Sequence, residues 1–346
     1  MQEERIRNKI TLITFICSVF VVYIHAYNLT TYGIDSNSTG ISLAVYTIEE
    51  YCSKVTHLAV PMFFFISGFL FFRNFEIDML FKKWKKRFFT VAIPYILWCT
   101  VYYIYNVMCT NLPIIRAHMN TNTVVKWSFP VGIDALWNNS YYTLWFLKNL
   151  IIFIAIAPII WALIKEHFNH IPLGLIMLVI IELLIEYGVF PRIELIQGLD
   201  IYLVGGYIGL NAEKFLQCKN RTLTIVSMIF IILVLLEKFK WWNLGIEILF
   251  FIAVWYALDF WEMRRPLPWW MSITFFYYVA HDILLEALEK IFLISFGVNP
   301  VCALLDYMFM PCLVIGGLII IAYFLQTYFP MVWKVLTGGR GIYKKT

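Results

Sequence analysis

The residues able to do chemistry in this chain are few, and most sit in apolar surroundings. The stretch "VVYIHAY", Val21–Tyr27, places His25 inside a hydrophobic run that begins at Ile10. A neutral imidazole is the side chain best suited to take a proton near neutral pH. At this depth it is either a general base or a histidine tied to a carbonyl of a neighbouring helix, and polar groups placed in lipid mark function more often than packing. Glu182 and Glu186 in "VIIELLIEYG" lie one turn apart on one helical face. Carboxylates in such a run need partners, so Glu182 is a candidate to orient His25 or to pair with Lys148 or Arg192. Lys148 in "WFLKN" reads either as a snorkelling lysine or as a cation beside a developing oxyanion or a donor phosphate. Asp200 in "QGLDIY" and the pair His281 and Asp282 in "VAHDI" complete the set, with a structural hydrogen bond as the reading for His281. Ser67 in "FISGF" lacks the strand-to-helix elbow of a nucleophilic serine, so with Gly68 it reads as a close helix contact lining a route near His25. The seven cysteines have no metal-ligand spacing; they read as small packing residues, and no metal is expected.

The elements that must position these groups follow from composition. Of 346 residues, 61% are hydrophobic and 14% charged, whereas a soluble domain is about 25% charged. The apolar residues fall in ten blocks, approximately 10–31, 57–73, 87–108, 143–164, 171–188, 197–211, 222–237, 243–261, 272–294 and 302–328. Most are near the roughly 20 residues a membrane helix needs, and unbroken rather than alternating runs exclude a membrane β-barrel. The expectation is an all-α, polytopic integral membrane protein of about ten transmembrane helices, a single membrane-embedded domain over 1–346, with the first block retained as a span. With the N-terminus inside, the inner segments hold 19 of the 27 Lys and Arg residues, so both termini are expected in the cytoplasm and the chain in the plasma membrane. The net charge of +5 is then topology and lipid contact, with no nucleic-acid patch. Two outer segments, 32–56 and 109–142, are long and rich in Asn, Thr, Ser and Tyr, fit either for sugar stacking or as simple connectors. The inner loop "RNFEIDMLFKKWKKRFF" is basic with interleaved aromatics, suiting an interfacial helix on anionic lipid or a landing patch for a phosphorylated donor.

The order of these stretches, His25 in the first span, then "PMFFFISGFLFF" and "KKRFFTVAIPYILW", resembles the membrane-bound acyltransferase 3 family, which O-acylates surface glycans and related envelope molecules. "LWFLKNLIIFIAIAPII", "FFYYVAHDILL" and "YFPMVWKVLTGGR" continue the resemblance to the C-terminal end. It implies an acyltransferase with acyl-CoA, acetyl-CoA above all, as donor substrate, no tightly bound cofactor, and a glycan or glycolipid acceptor, working among membrane lipids. It also implies that His25 is the catalytic histidine and that Arg87 binds the donor. Two positions depart from the pattern. Family members often carry a basic residue eleven positions before that histidine, where this chain has Thr14, and a second basic residue four before the third-span proline, where Thr90 precedes Pro94. The rival reading from the residues alone is a transporter or polysaccharide-export component, since intramembrane Glu and His also serve proton coupling.

Overall fold

The computed structural model describes residues 2–112, 125–137, 142–168, 171–189, 191, 193–213, 221–236, 244–260 and 267–341. Every one of the ten apolar blocks carries a helix. In chain order the helices are α1 Gln2–His25, α2 Gly40–Thr56, α3 Ala59–Phe72, α4 Leu80–Arg87, α5 Ile93–Asn111, α6 Phe129–Trp137, α7 Trp145–Ala155 and α8 Ala157–Ile164. Then follow α9 Leu173–Glu186, α10 Glu194–Leu210, α11 Arg221–Leu235, α12 Leu244–Ala257, α13 Thr274–Phe296, α14 Pro300–Tyr328 and α15 Pro330–Thr337. Between α8 and α9, Glu166–Phe168 pairs antiparallel with Ile171–Pro172, the one pair of strands among the described residues.

Four segments are long and apolar enough to cross a membrane: Glu3–His25, Gly40–Phe72, Ile77–Asn111 and Pro300–Tyr328. A fifth follows if α7 and α8, bent by 71°, count as one span. The bend has a local cause. Pro158 has no N–H to return to the Ile154 carbonyl one turn back, and the indole N–H of Trp84 donates to that carbonyl instead, at 2.7 Å. A π-helical turn, Phe88–Ala92, joins α4 to α5 just ahead of Pro94.

The chain packs as two compact units, each assembled from three separate stretches. The first comprises 1–17, 57–86 and 149–267. Its tightest contact is between α3 and α10, where Gly68 meets the Tyr202 carbonyl and Gly205 meets the Phe65 carbonyl so closely that a Cβ at either glycine would overlap the opposing backbone. Small residues permit this approach in an apolar medium, so Gly68 is the helix contact that "FISGF" implies. Phe64, Phe153 and Tyr202 pack beside it with tilted rings, at centroid separations of 5.5 and 5.3 Å. At the N-terminal end, Arg5 and Lys9 both pair with Asp259.

The second unit comprises 18–56, 87–148 and 268–346. After α1 the chain is clamped to α14: Asn28 Nδ2 donates to the Ala303 carbonyl at 3.2 Å and to Asp306 Oδ2 at 3.3 Å, and the Tyr32 hydroxyl donates to Asp306 Oδ2 at 3.2 Å. Leu29, Tyr32, Ile34, Val45 and Ala303 close over this point as an apolar cluster. Burial, then the Asp306 carboxylate, raises the Tyr32 phenol above its usual range, so Tyr32 remains a hydrogen-bond donor. Trp98, Phe276 and Trp333 form an aromatic run that ties α5, α13 and α15 together, at centroid separations of 6.0 and 5.0 Å.

The six described cysteines are free thiols, Cys52, Cys109 and Cys302 among them. Of the two segments expected outside, 32–56 is not a simple connector, because its helix α2 belongs to the long apolar stretch Gly40–Phe72, and 109–142 contains α6. The basic inner loop forms α4, with Lys82, Lys85 and Lys86 exposed and Phe81, Phe88 and Phe89 also presented outward, the composition of an interfacial helix.

Candidate active site

The second unit brings together groups that lie far apart in sequence. His25 is the last residue of α1 and is half-buried. Its ring centroid lies 4.9 Å from that of His281 on α13. His25, His281 and the adjacent Asp282 each present one nitrogen or carboxylate oxygen, and these atoms all lie within 4.8 Å of one another. His281 is wholly buried. Its Nδ1 sits 3.1 and 2.8 Å from the carbonyls of Tyr277 and Tyr278. A carbonyl only accepts, so Nδ1 carries the proton and Nε2 of the neutral ring is an acceptor. That Nε2 has no hydrogen-bond partner among the described residues. The structural hydrogen bond expected of His281 is therefore present, and it leaves the ring's basic nitrogen available beside His25.

Around this cluster the polar groups continue along α13 and α5. His25, Glu286 and Thr143 are the electrostatic neighbours of Asp282. The Tyr105 hydroxyl donates to Glu286 Oε2 at 3.1 Å, and Lys290 pairs with the other oxygen of the same carboxylate. Tyr278 donates its hydroxyl to the Thr143 carbonyl, which fixes the entry of α7. Three turns before His25 on α1, Thr14 folds its hydroxyl back onto its own helix, 2.7 Å from the Ile10 carbonyl.

The residues singled out by sequence divide as follows. His25, Lys148 and Arg87 belong to the second unit, with Lys148 an electrostatic neighbour of Cys99 on α5. Ser67 on α3, Glu182 on α9 and Asp200 on α10 belong to the first unit. Asp200 is buried and Glu182 half-buried. Arg192 lies outside the described residues.

Two features escaped the sequence. The first is the approach of Asp282 to His25, since 256 residues separate His25 from His281 and nothing in a hydrophobic pattern records which helices meet. The second is Arg340, in the turn after α15. Gly338, at φ 62°, ends that helix in the left-handed conformation, and Trp333 Nε1 and Thr337 Oγ1 donate to the Arg340 carbonyl at 3.2 and 3.3 Å. The guanidinium lies over the Phe275 ring, 4.4 Å from its centroid. Burial, with Arg87 as a like-charged neighbour, pushes Arg340 down to about 10. It stays charged at neutral pH. The Gly-Gly pair in "LTGGR" signals the turn, but only the fold reveals what it faces.

Chemically, two imidazoles and a carboxylate can accept a proton, pass it on and orient one another, and the same three atoms have the composition of a divalent-cation site. Comparison with curated proteins and with solved structures gives no match for either set. A family model described as an acyltransferase domain, the acyltransferase 3 family, matches residues 7–327, and with these helices and this cluster the chain belongs to that family of membrane acyltransferases.

Proposed function

We propose that the protein moves an acyl group, acetyl from acetyl-CoA above all, from the cytoplasmic side of the plasma membrane to a hydroxyl of a cell-surface polysaccharide or glycolipid, with His25 as general base. The observation that carries this reading is the meeting of His25 with His281 and Asp282 inside one unit of an acyltransferase. A sugar hydroxyl is a weak nucleophile at neutral pH. Imidazole of His25 takes its proton as the oxygen attacks the thioester carbonyl; the tetrahedral adduct then collapses, the C–S bond breaks, and the imidazolium returns the proton to the departing thiolate. The products are the O-acyl ester and the free thiol.

In this reading Asp282 holds the imidazolium, Lys148 stabilises the oxyanion, and Arg87 binds the donor. Glu182 is proposed as a second catalytic carboxylate, and Ser67 and Arg192 as substrate-binding residues. The chain crosses the membrane ten times with both termini in the cytoplasm, and residues 1–346 serve as a single membrane-embedded acyltransferase domain. The test is acyl release from labelled acetyl-CoA by purified protein in lipid, supplied with a polysaccharide acceptor. Wild type should transfer label and His25→Gln should not; label transfer by the Gln protein at the wild-type rate would overturn the assignment.

A further inference from the structure

The N-terminal end of α13 carries a second concentration of charge, distinct from the His25 cluster. Pro94 has no N–H to offer the Thr90 carbonyl one turn back. The turn after α15 packs on that stripped backbone: a Cβ on Gly338 would lie 2.6 Å from Thr90 Cα and 2.7 Å from Thr90 O. Gly341 similarly meets Ile273, at 2.7 Å from its Cγ2. With Trp98 Nε1 donating to the Leu336 carbonyl at 3.0 Å, the turn is pinned at both ends. The docked turn carries Arg340, whose charged neighbour Arg87 lies one turn before Thr90.

Arg340 is therefore held in place before any ligand arrives. Its backbone is fixed by Trp333 and Thr337, and its guanidinium plane by Phe275. The guanidinium has neither a carboxylate nor a carbonyl partner among the described residues, and its charged neighbour is another cation, Arg87, at the end of α4. A half-buried guanidinium facing a like charge lacks the anion that its fork of donors matches.

We propose that Arg340, carried by the C-terminal turn, and Arg87 form a binding site for a phosphate group. Phosphate oxygens accept from the Arg340 fork on one side and from Arg87 on the other. Two sources share this chemistry: the nucleotide phosphates of an acyl-CoA and the head group of an anionic lipid. The first rests on the acyl-transfer reading, and the spacing suits it, because Phe275 beneath Arg340 and Asp282 beside His25 are seven residues apart on α13, about 10 Å along the axis. A donor anchored by its phosphate would have its thioester end directed along that helix.

The experiment uses the full chain in phosphatidylcholine nanodiscs, with or without phosphatidic acid, and needs no turnover. CoA and pantetheine, which lacks phosphate, are titrated against wild type, Arg340→Gln, Arg340→Lys and Arg87→Gln, while bound phosphatidic acid is counted by native mass spectrometry. If the donor occupies the site, Arg340→Gln and Arg87→Gln each weaken CoA about 10- to 100-fold, the range for losing a charge-assisted pair. Pantetheine is unaffected, and Arg340→Lys recovers part of the loss. If a lipid occupies it, CoA affinity holds and the glutamine variants lose bound phosphatidic acid. The proposal is overturned if CoA affinity and lipid retention are both unchanged in folded Arg340→Gln. Should that variant not fold, Arg87→Gln, which leaves the C-terminal turn intact, decides alone by the same two readouts. Arginine-dependent CoA binding by a wild type that transfers no acyl group would sink the function and leave the phosphate site standing.

Discussion

At the residue scale, the chemistry rests on whether His25 exchanges a proton or merely accepts a hydrogen bond. His25→Ala and His25→Gln separate the two, because glutamine keeps size and hydrogen bonding but cannot act as a base. If His25 is the base, both variants fold and both lose about 10²–10⁴-fold in kcat. If it is structural, glutamine restores what alanine loses. Asp282 makes a further demand: as a positioning carboxylate it acts on His25 and not on the donor, so Asp282→Asn should lower kcat by at least about 10-fold, within the worth of the base itself, while the KM for acetyl-CoA stays put. A rise in KM with kcat unchanged would give Asp282 to substrate binding instead. The same three atoms have the composition of a cation site, so prolonged dialysis against a chelator is expected to leave turnover intact; loss that zinc restores would convert the base into a ligand. His25 was legible in the sequence because an imidazole stands out in an apolar run. Its partners were not, since "VAHDI" carries no sign of which helix it faces.

At the scale of the element, hydropathy located all ten helical blocks to within a few residues, except that α1 starts eight residues ahead of Ile10 and stops at His25, six short of residue 31, and α5 begins only at Ile93, six after residue 87. What hydropathy missed is where proline opens a helix and what then satisfies the freed carbonyl. The 143–164 block reads as one run, yet it is bent by 71°, and the carbonyl exposed at Ile154 finds its donor in Trp84, on a different helix. Trp84→Phe retains the ring and deletes that donor. It should lower stability by about 1–3 kcal/mol, the cost of leaving a buried polar group unsatisfied, visible as a drop in thermal unfolding temperature in lipid. The glycine contacts make a sharper contrast. A methyl at Gly68 or Gly205 meets opposing backbone, which cannot swing aside as a side chain does. Gly316 in α14 has nothing within 4 Å of the same methyl. Gly68→Ala and Gly205→Ala should therefore destabilise or abolish folded yield, overpacking typically costing about 1–3 kcal/mol. Gly316→Ala should be indistinguishable from wild type. Equal melting of all three variants would show that α3 and α10 do not pack through these glycines.

For the whole molecule, the arrangement becomes an acylation route only if it has a direction, and direction is set by which ends of the helices face the cytoplasm. The sequence argues this from charge alone: Lys82, Lys83, Lys85, Lys86 and Arg87 follow the second apolar block, and Arg340 follows the last. The fold adds that these lysines lie on or beside one short exposed helix and that Arg340 and Arg87 are neighbours. Both are therefore expected on one face of the membrane, and in the proposed orientation, which follows the retention of basic residues in the cytoplasm, that is the inner one. His25 sits at the opposite end of α1 from Arg5 and Arg7, followed by the exposed loop at Asn37, so the proposed orientation puts that loop outside. A cysteine engineered at Lys85 in a background without native cysteines should resist a membrane-impermeant maleimide added to intact cells and react once the cells are opened. A cysteine at Asn37 should react in intact cells. Were Lys85 labelled from outside and Asn37 protected, the donor end would face away from the cytoplasmic acyl-CoA pool, and the acyl group would have to travel in the reverse sense, from an external donor to an internal acceptor.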